Sequence, residues 1–506
     1  MKIKLILSFL IISSVYSAAQ NSFISDSLDV YIQREMKAWK VPGMAVAIVK
    51  DGKVVVSKGY GLRDKDQKDE KVDENTLFQI ASNSKAFTAT SIALLAYQHR
   101  ISLEDHVTKW MPFFQLKDPF ATNDVRVRDL LCHRLGFETF QGDMLNWGCN
   151  LSRKEIIMNL RNVDPVYSFR SHYGYCNAGF LTAGELIPLV SDTTWDDFLK
   201  YHFFQPLQMT HTSTTWSTIH SDKNACTPYT LVKDKLVAMP FVNVDNLGPA
   251  ASINSCVKDL SHWLLMQLDS GRYEGKRIVP FSVLQNTRTS NTIVRDQNNP
   301  YYPSKHFETY GLGWFLEDYN GKKIISHDGG ANGFVTTTCV IPEMNLGIVV
   351  LTNTDVNYLY GALRQQIIDA YMGLPYRNYS QYNLIRQEKG MTKEDAELAI
   401  KEALVSKKNK PELELKEYTG TYHNAVYGDI TIKEEKEKLN IYFSHHPTLI
   451  GHLDVLEKSS FLCVYSDPEY GVRTIPFTVV DNKVKSVSVS VNNFIDYMSY
   501  EFTRIP

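Results

Sequence analysis

Ser82-Asn83-Ser84-Lys85 opens a helical run that continues through Phe87, Ile92, Leu94 and Leu95, and the reading of this stretch decides both fold and chemistry. Residues three apart share one helical face, so Ser82 and Lys85 fall within hydrogen-bonding reach of each other. A serine hydroxyl is a weak nucleophile at neutral pH. A lysine whose pKa is lowered by desolvation accepts its proton, and a helix start favours the negative charge that develops. The same residues also read as an N-cap followed by a solvated first-turn lysine. Ser255-Cys256-Val257-Lys258 repeats the pattern at another apparent helix start, so the pattern alone does not decide between the two readings.

Two downstream groups raise its specificity. Tyr175-Cys176-Asn177 lies in the aromatic, glycine-containing stretch 172–180, where a tyrosine can shuttle protons and an amide can orient Lys85 or a substrate carbonyl. The alternative is a packed loop tyrosine with a turn asparagine, and Tyr376-Arg377-Asn378 has the same spacing. His327-Asp328-Gly329-Gly330 follows a strand expected to end at Ser326, and glycines there let a substrate backbone approach the sheet edge. A tight turn with an incidental histidine reads equally well, and His172-Tyr173-Gly174 duplicates it. The ordered set Ser82/Lys85, Tyr175/Asn177 and His327/Gly329, at helix start, loop and strand end, is far more specific than any one member.

Around these motifs, apolar positions at helical spacing over residues 26–40 stop at Pro42-Gly43. Residues 44–49 and 53–60 then read as a β-hairpin turned by Asp51-Gly52. Helical patterns dominate the middle, and β runs at 322–326, 334–341 and 346–352 are expected to join the hairpin in one sheet. After Leu374-Pro375 the chain turns charged, apart from a helical stripe of Ala396, Ala399, Ile400, Ala403 and Leu404 with Thr392 as its expected N-cap. Beyond Pro411 the period is two, as at Val487, Val489 and Val491 and again at Met498, Tyr500 and Phe502, which predicts a small all-β unit. The expected division is a signal peptide at 1–19, a catalytic domain at 20–375, a charged, partly helical linker at 376–410 and a β-domain at 411–506.

Composition narrows the class. At 506 residues the chain exceeds what one hydrophobic core usually organises, and 43% apolar with 22% charged residues is ordinary globular usage. A formal charge of −2 gives no global attraction to nucleic acid or anionic membranes. Seven cysteines without a C-x-x-C pair argue against a disulfide framework or a zinc ribbon and read mostly as small buried hydrophobes. Lys2 and Lys4 precede an apolar stretch at 5–15, and Ser17 and Ala19 offer a cleavage site, the pattern of a secretory signal; the alternative is an uncleaved anchor. Export to the periplasm or the extracellular space is expected. No later segment has about 18 consecutive apolar residues, so no membrane span is expected after signal removal. The chain has neither G-x-S-x-G nor H-E-x-x-H, which disfavours an α/β-hydrolase and a zinc hydrolase.

With these motifs in place, residues 25–371 resemble the serine β-lactamase and penicillin-binding-protein superfamily, in its class C β-lactamase, D-aminopeptidase and esterase branch. Leu131-Cys132-His133-Arg134-Leu135-Gly136, Gly248-Pro249-Ala250-Ala251-Ser252-Ile253-Asn254-Ser255 and Tyr310-Gly311-Leu312-Gly313-Trp314 are similar to stretches common in that branch. The tail from about Pro411 resembles the lipocalin-like β-barrel that follows the catalytic domain in some D-amino-acid-specific peptidases. The resemblance implies an α+β fold, an antiparallel sheet flanked by helices plus a helical subdomain, followed by a small all-β barrel.

The resemblance further implies Ser82 as acylated nucleophile, Lys85 and Tyr175 as the proton-transfer pair, and Asn177, His327 and Gly329 as substrate-binding groups. It implies an oxyanion hole made by the backbone N–H groups of Ser82 and Gly330. Ser255 and Lys258 then fall on a structural helix. Two positions depart from the pattern: His327 stands where β-lactamases usually carry lysine, and Cys176 where serine is common. The implied protein is an exported serine hydrolase working through an acyl-enzyme on Ser82, a D-amino-acid-specific peptidase, amidase or esterase, with a regulatory or substrate-gating β-domain. Its implied substrates are small molecules or short peptides, with no cofactor, metal or nucleic acid. A true β-lactamase and a catalytically silent penicillin-binding-type receptor are the alternatives.

Overall fold

The computed structural model describes residues 23–296 and 301–506, so the expected signal peptide at 1–19 lies outside the described residues. Helix α1 (Leu28–Ala38) leads into the expected hairpin, β1 (Gly43–Lys50) and β2 (Lys53–Gly61), around Asp51-Gly52. The helical middle contains α2 (Ser84–Tyr97), the single turn α3 (Asp143–Asn146), α4 (Asn177–Ser191) and α5 (Val257–Leu268). Six strands follow: β3 (Thr292–Asp296), β4 (Phe307–Tyr310), β5 (Phe315–Tyr319), β6 (Lys322–Ala331), β7 (Phe334–Ile341) and β8 (Leu346–Thr352). Helices α6 (Leu359–Met372) and α7 (Tyr379–Ser406) complete this part.

The eight strands make one antiparallel sheet in the order β2-β1-β8-β7-β6-β5-β4-β3, so the late strands do join the early hairpin. Both faces are covered, which is why β1 is apolar at successive positions rather than alternating. Met44, Val46 and Ile48 pack with Leu28 and Ile32 of α1 and Leu363 and Ile367 of α6. Ala45, Ala47 and Val49 point the other way, into the cluster that holds Phe87 of α2 and Trp263 of α5. Helix α2 is buried at every position from Ser84 to Leu95, so Lys85 lies in an interior helix rather than on a solvated first turn.

The structure corrects two boundaries. Strand β6 does not stop at Ser326 but runs on to Ala331, because β7 pairs with it out to Ala331↔Phe334. Its pairing with β5 ends at Phe315↔Ser326, which leaves residues 327–331 with one open backbone edge. Helix α7 begins far before Thr392: the Asn378 side chain caps it by accepting from Gln381 N at 3.2 Å, and Thr392 lies mid-helix with its hydroxyl donating to Glu388 O at 2.7 Å. An asparagine able to cap and a tolerated internal threonine explain why the helix is longer than its apolar stripe.

The tail closes into an eight-stranded barrel: β9 (Gly420–Asn424), β10 (Gly428–Glu435), β11 (Lys438–Phe443), β12 (His446–Glu457), β13 (Ser460–Tyr465), β14 (Val472–Val480), β15 (Lys483–Ser490) and β16 (Ser499–Arg504). Strand β16 returns to β9 at Tyr422↔Arg504, which removes the exposed edges. Val484, Val487 and Val489 fill its interior with Tyr422, Phe461 and Phe477. The barrel packs on the segment after α3: the Trp147 carbonyl accepts from His446 Nε2 at 3.0 Å and from the Tyr470 hydroxyl at 3.1 Å, while Asn150 N donates to His445 O at 3.0 Å. All seven cysteines are unpaired and six are buried. Among the described residues no helix is long and apolar enough to cross a membrane.

Candidate active site

Ser82 sits on a tight 3-10 turn, Ala81–Asn83, just before α2. Ala81 is left-handed at φ 45°, a conformation that costs a residue with a Cβ about 1–3 kcal/mol and persists only where neighbours impose it. Those neighbours are identifiable. Asn83 Nδ2 donates to Thr336 Oγ1 at 2.9 Å and its Oδ1 accepts from Thr338 Oγ1 at 2.6 Å, which pins the turn to β7. Gly329 lets β6 come in beside it, since a Cβ there would lie 2.1 Å from Ile80 O. The turn is therefore held against the inner face of β6 and β7, beside the open edge of β6.

Lys85 is fully buried, and its Nζ makes three contacts: Ser82 Oγ at 3.0 Å, Asn177 Oδ1 at 2.7 Å and the Ala250 carbonyl at 2.9 Å. Burial pushes its pKa down to about 7, against a smaller upward pull from Asp143. The stretch 248–255 supplies the Ala250 carbonyl and is tied to α2 twice, by Thr88 Oγ1 donating to Pro249 O at 2.7 Å and by Ser84 Oγ accepting from Ile253 N at 3.1 Å. Gly313, at φ 73°, backs the same helix, because a Cβ there would lie 2.6 Å from Lys85 O. Asn177, the first residue of α4, donates through Nδ2 to Asp143 Oδ2 at 2.6 Å. Burial and the nearby Asp496 push the Asp143 carboxyl up to about 8.

Tyr175 is buried with its ring centroid 4.6 Å from Lys85 Nζ, a cation–π contact whenever the lysine is charged. Its hydroxyl has no hydrogen-bond partner of normal length, although the Ser82 hydroxyl stands near enough to act on its ionisation. Burial holds its pKa above the ordinary tyrosine value, so it is a proton donor at neutral pH. The His133 ring stacks on it at 4.1 Å, and His133 Nδ1 accepts from Cys176 N at 3.0 Å. Cys176 packs in the core at the start of α4.

His327 is 1% exposed, and both ring nitrogens are engaged: Nδ1 lies 2.6 Å from Asp328 O and Nε2 lies 2.9 Å from the Tyr310 hydroxyl. A carbonyl only accepts, so Nδ1 carries the proton and Nε2 receives the tyrosine hydrogen. Burial and the nearby Lys85 push its pKa down to about 3. The Asp328 carboxylate does not face this ring. It accepts from Arg364 Nη1 at 2.6 Å, an arginine that also donates to Thr337.

The structure thus gathers Ser82, Lys85, Tyr175, Asn177, His327, Gly329 and Gly330 around one turn and one strand edge. The duplicates lie apart. Ser255 is buried against Thr212 Oγ1 at 2.8 Å, whereas Lys258 reaches outward to Glu74 and never meets it. Asn378 caps α7 and Tyr376 is exposed, and His172 stacks on Tyr167 at the surface. Sequence reasoning missed Asp143 and Asp496, and quoted His133 and Tyr310 without giving either a role. None of these four sits at a fixed spacing from the motifs, and each arrives through tertiary contact.

Comparison with known proteins agrees with this geometry. Residues 28–371 match the family described as Beta-lactamase, and residues 405–504 match a domain of unknown function, DUF3471. Protein flp of Staphylococcus aureus (strain MW2) is 29% identical over 337 residues, covering 66% of this chain, which spans 64% of that protein's length. Unguisins hydrolase ungD' of Aspergillus campestris (strain IBT 28561) is 26% identical over 430 residues, covering 81% of this chain and 78% of that protein. The octameric penicillin-binding protein homologue from Pyrococcus abyssi superposes with a TM-score of 0.61 over 94% of this chain and 99% of that one, and at 22% identity this is likeness of fold. Because the match from 28 to 371 covers more than half of the chain and takes in the whole turn, strand edge and lysine pocket around Ser82, this protein belongs to the Beta-lactamase family.

Proposed function

We propose that this protein forms an acyl-enzyme on Ser82 and hydrolyses D-amino-acid amides, short peptides or esters in preference to β-lactams. The observation that carries the reading is the environment of Lys85 Nζ. A neutral amine has two hydrogens and one lone pair, and two of its three partners, Asn177 Oδ1 and the Ala250 carbonyl, can only accept. With both hydrogens used there, the lone pair faces the Ser82 hydroxyl at 3.0 Å. The lysine is then a general base for Ser82, and a pKa of about 7 makes a large fraction of it competent at neutral pH.

In this account Ser82 Oγ attacks the substrate carbonyl as its proton passes to Lys85 Nζ. The backbone N–H groups of Ser82 and Gly330 hold the oxyanion, and Tyr175, kept protonated by burial, protonates the leaving group. Asn177 fixes the lysine and Asp143 fixes Asn177. The proton held on Lys85 restores the Tyr175 hydroxyl as the leaving group departs, so both enter the second half neutral; water then attacks the ester on Ser82 and gives its proton to Lys85, which returns it to Ser82 Oγ as the acid is released. The Aspergillus relative is itself named a hydrolase, which supports turnover rather than binding alone. The preference against β-lactams rests on His327, a neutral ring with both nitrogens committed, where a cation would hold a carboxylate. Residues 1–19 have the pattern of an export signal, and we place the enzyme in the periplasm or outside the cell. A panel of D-alanyl amides, D-alanyl esters and a cephalosporin, read by turnover and by intact mass, tests the substrate class. Preferential cephalosporin hydrolysis contradicts it.

A further inference from the structure

The barrel enters the hydrolase site through one loop, residues 492–498, between β15 and β16. Phe494 of this loop, half-buried, lies on the outward face of β6 at Gly330. A Cβ on that glycine would stand 2.9 Å from Phe494 Cε2 and 3.0 Å from Cζ. Side chains alternate along a strand, so Asp328 shares this face with Gly330, while His327 and Gly329 point into the body towards the Ser82 turn. Tyr497, three residues after Phe494, meets Phe140 edge-on at 5.7 Å, and Phe140 meets Tyr175 in the same way at 5.3 Å.

The loop is held to the start of α3 by Asp496. Its Oδ2 accepts from Gly142 N at 3.1 Å, Met144 N at 3.2 Å and the Tyr427 hydroxyl at 2.7 Å, and its Oδ1 accepts from Met498 N at 2.9 Å. The backbone it grips carries Asp143, the partner of Asn177. The same clamp therefore sets both the Lys85 network and the position of Phe494.

We propose that Phe494 is a specificity-determining residue contributed by the barrel, a fixed aromatic wall at the Gly330 end of the open β6 edge that limits the length of the acyl group Ser82 accepts. The inference rests on the acyl-enzyme reading and goes beyond it by naming the residue that selects the substrate. An acyl group whose carbonyl oxygen lies between Ser82 N and Gly330 N starts at the open β6 edge beside Gly330, and Phe494 is the side chain packed on that glycine. Compact acyl groups end before the ring, and long ones meet it. A residue from the barrel would thus select substrate without taking part in the chemistry.

The test uses the full chain and two fluorophosphonate probes, one with a methyl and one with a decyl group on phosphorus, with labelling rates read by intact mass and the adduct mapped by peptide. Phe494→Ala should raise the decyl-to-methyl rate ratio about tenfold or more, and Phe494→Trp should lower it, the scale on which a hydrophobic pocket discriminates size. A ratio unchanged within about twofold in both variants, with Ser82 labelled, overturns the role of Phe494 and leaves the acyl-enzyme reading intact. Failure of the methyl probe to label Ser82 in the wild type overturns both.

Discussion

The Tyr310 hydroxyl donates to His327 Nε2 across 2.9 Å, and this bond fixes what the strand position can do. With Nδ1 bonded to the Asp328 carbonyl and Nε2 filled by the tyrosine, the ring has no hydrogen left for a substrate carboxylate. Asp328 could have kept the histidine charged, but its carboxylate is turned to Arg364.

A cephalosporin should accordingly be the poorer substrate against a D-alanyl ester at about pH 7.5, by roughly tenfold or more in kcat/KM, the worth of one charge-assisted contact. Because His327 does not gain a proton above about pH 3, its charge should leave the ratio of the two unchanged across the range from about pH 5 to 8. His327→Lys should move the ratio towards the cephalosporin. Efficient cephalosporin turnover by the wild type, or no gain in the lysine variant, contradicts this reading.

Acylation should follow the titration of Lys85. Its folded pKa lies near 7 against 10.5 for an ordinary lysine, so the competent neutral form is lost as pH falls through about 7. A plot of kcat/KM for a neutral ester should rise with unit slope up to about pH 7 and then level. Lys85→Met should cost on the order of 10²–10⁴-fold and abolish that limb. A limb that survives in the methionine variant assigns it to another group.

Asp143 makes a prediction about stability. Its carboxyl is raised from 3.8 to about 8 by burial and by Asp496, so the folded protein holds a proton that the unfolded chain releases above about pH 4. That proton's contribution is present in full below the unfolded value and is lost as pH rises towards 8. Asp143→Asn keeps the shape and loses the titration, so its stability relative to wild type should grow by about 1–3 kcal/mol from pH 5 to pH 8. Urea unfolding at the two pH values measures this, and a pH-independent difference contradicts the assignment.

The second S-x-x-K provides a control. Lys258 points to Glu74, away from Ser255, so Lys258→Ala should leave Ser82 labelling within about twofold of wild type. A large loss would show that the two motifs had been assigned the wrong way round.

The legible parts of the molecule are those in which local pattern and tertiary role coincide. The Asp51-Gly52 hairpin, the alternating valines of β15 and the spacing of Ser82 from Lys85 each carry a physical signal in a few adjacent residues. The end of β6 was not legible, because two glycines read locally as a turn and only the pairing of Ala331 with Phe334 extends the strand. Helix α7 is under-read for the opposite reason: Tyr379, Tyr382 and Ile385 at its start are cut off from the later stripe at 396–404 by the charged run 386–390, so the two apolar faces do not read as one helix. In the site, Lys85 could be nominated from sequence, but its burial could not, since that depends on Asn177 and Ala250, both far along the chain. Asp496 lies further still, in another fold unit, and no spacing rule connects it to Asp143.

In the proposed mechanism Lys85 activates Ser82 as a covalent nucleophile, and peptide mapping of the adduct left by a small fluorophosphonate at about pH 7.5 tests this. Wild type should carry one adduct, on Ser82; Ser82→Ala should carry none, and Lys85→Met should label at least about 100-fold more slowly. An adduct on Ser255, or labelling of Ser82 at the wild-type rate in Lys85→Met, would contradict it.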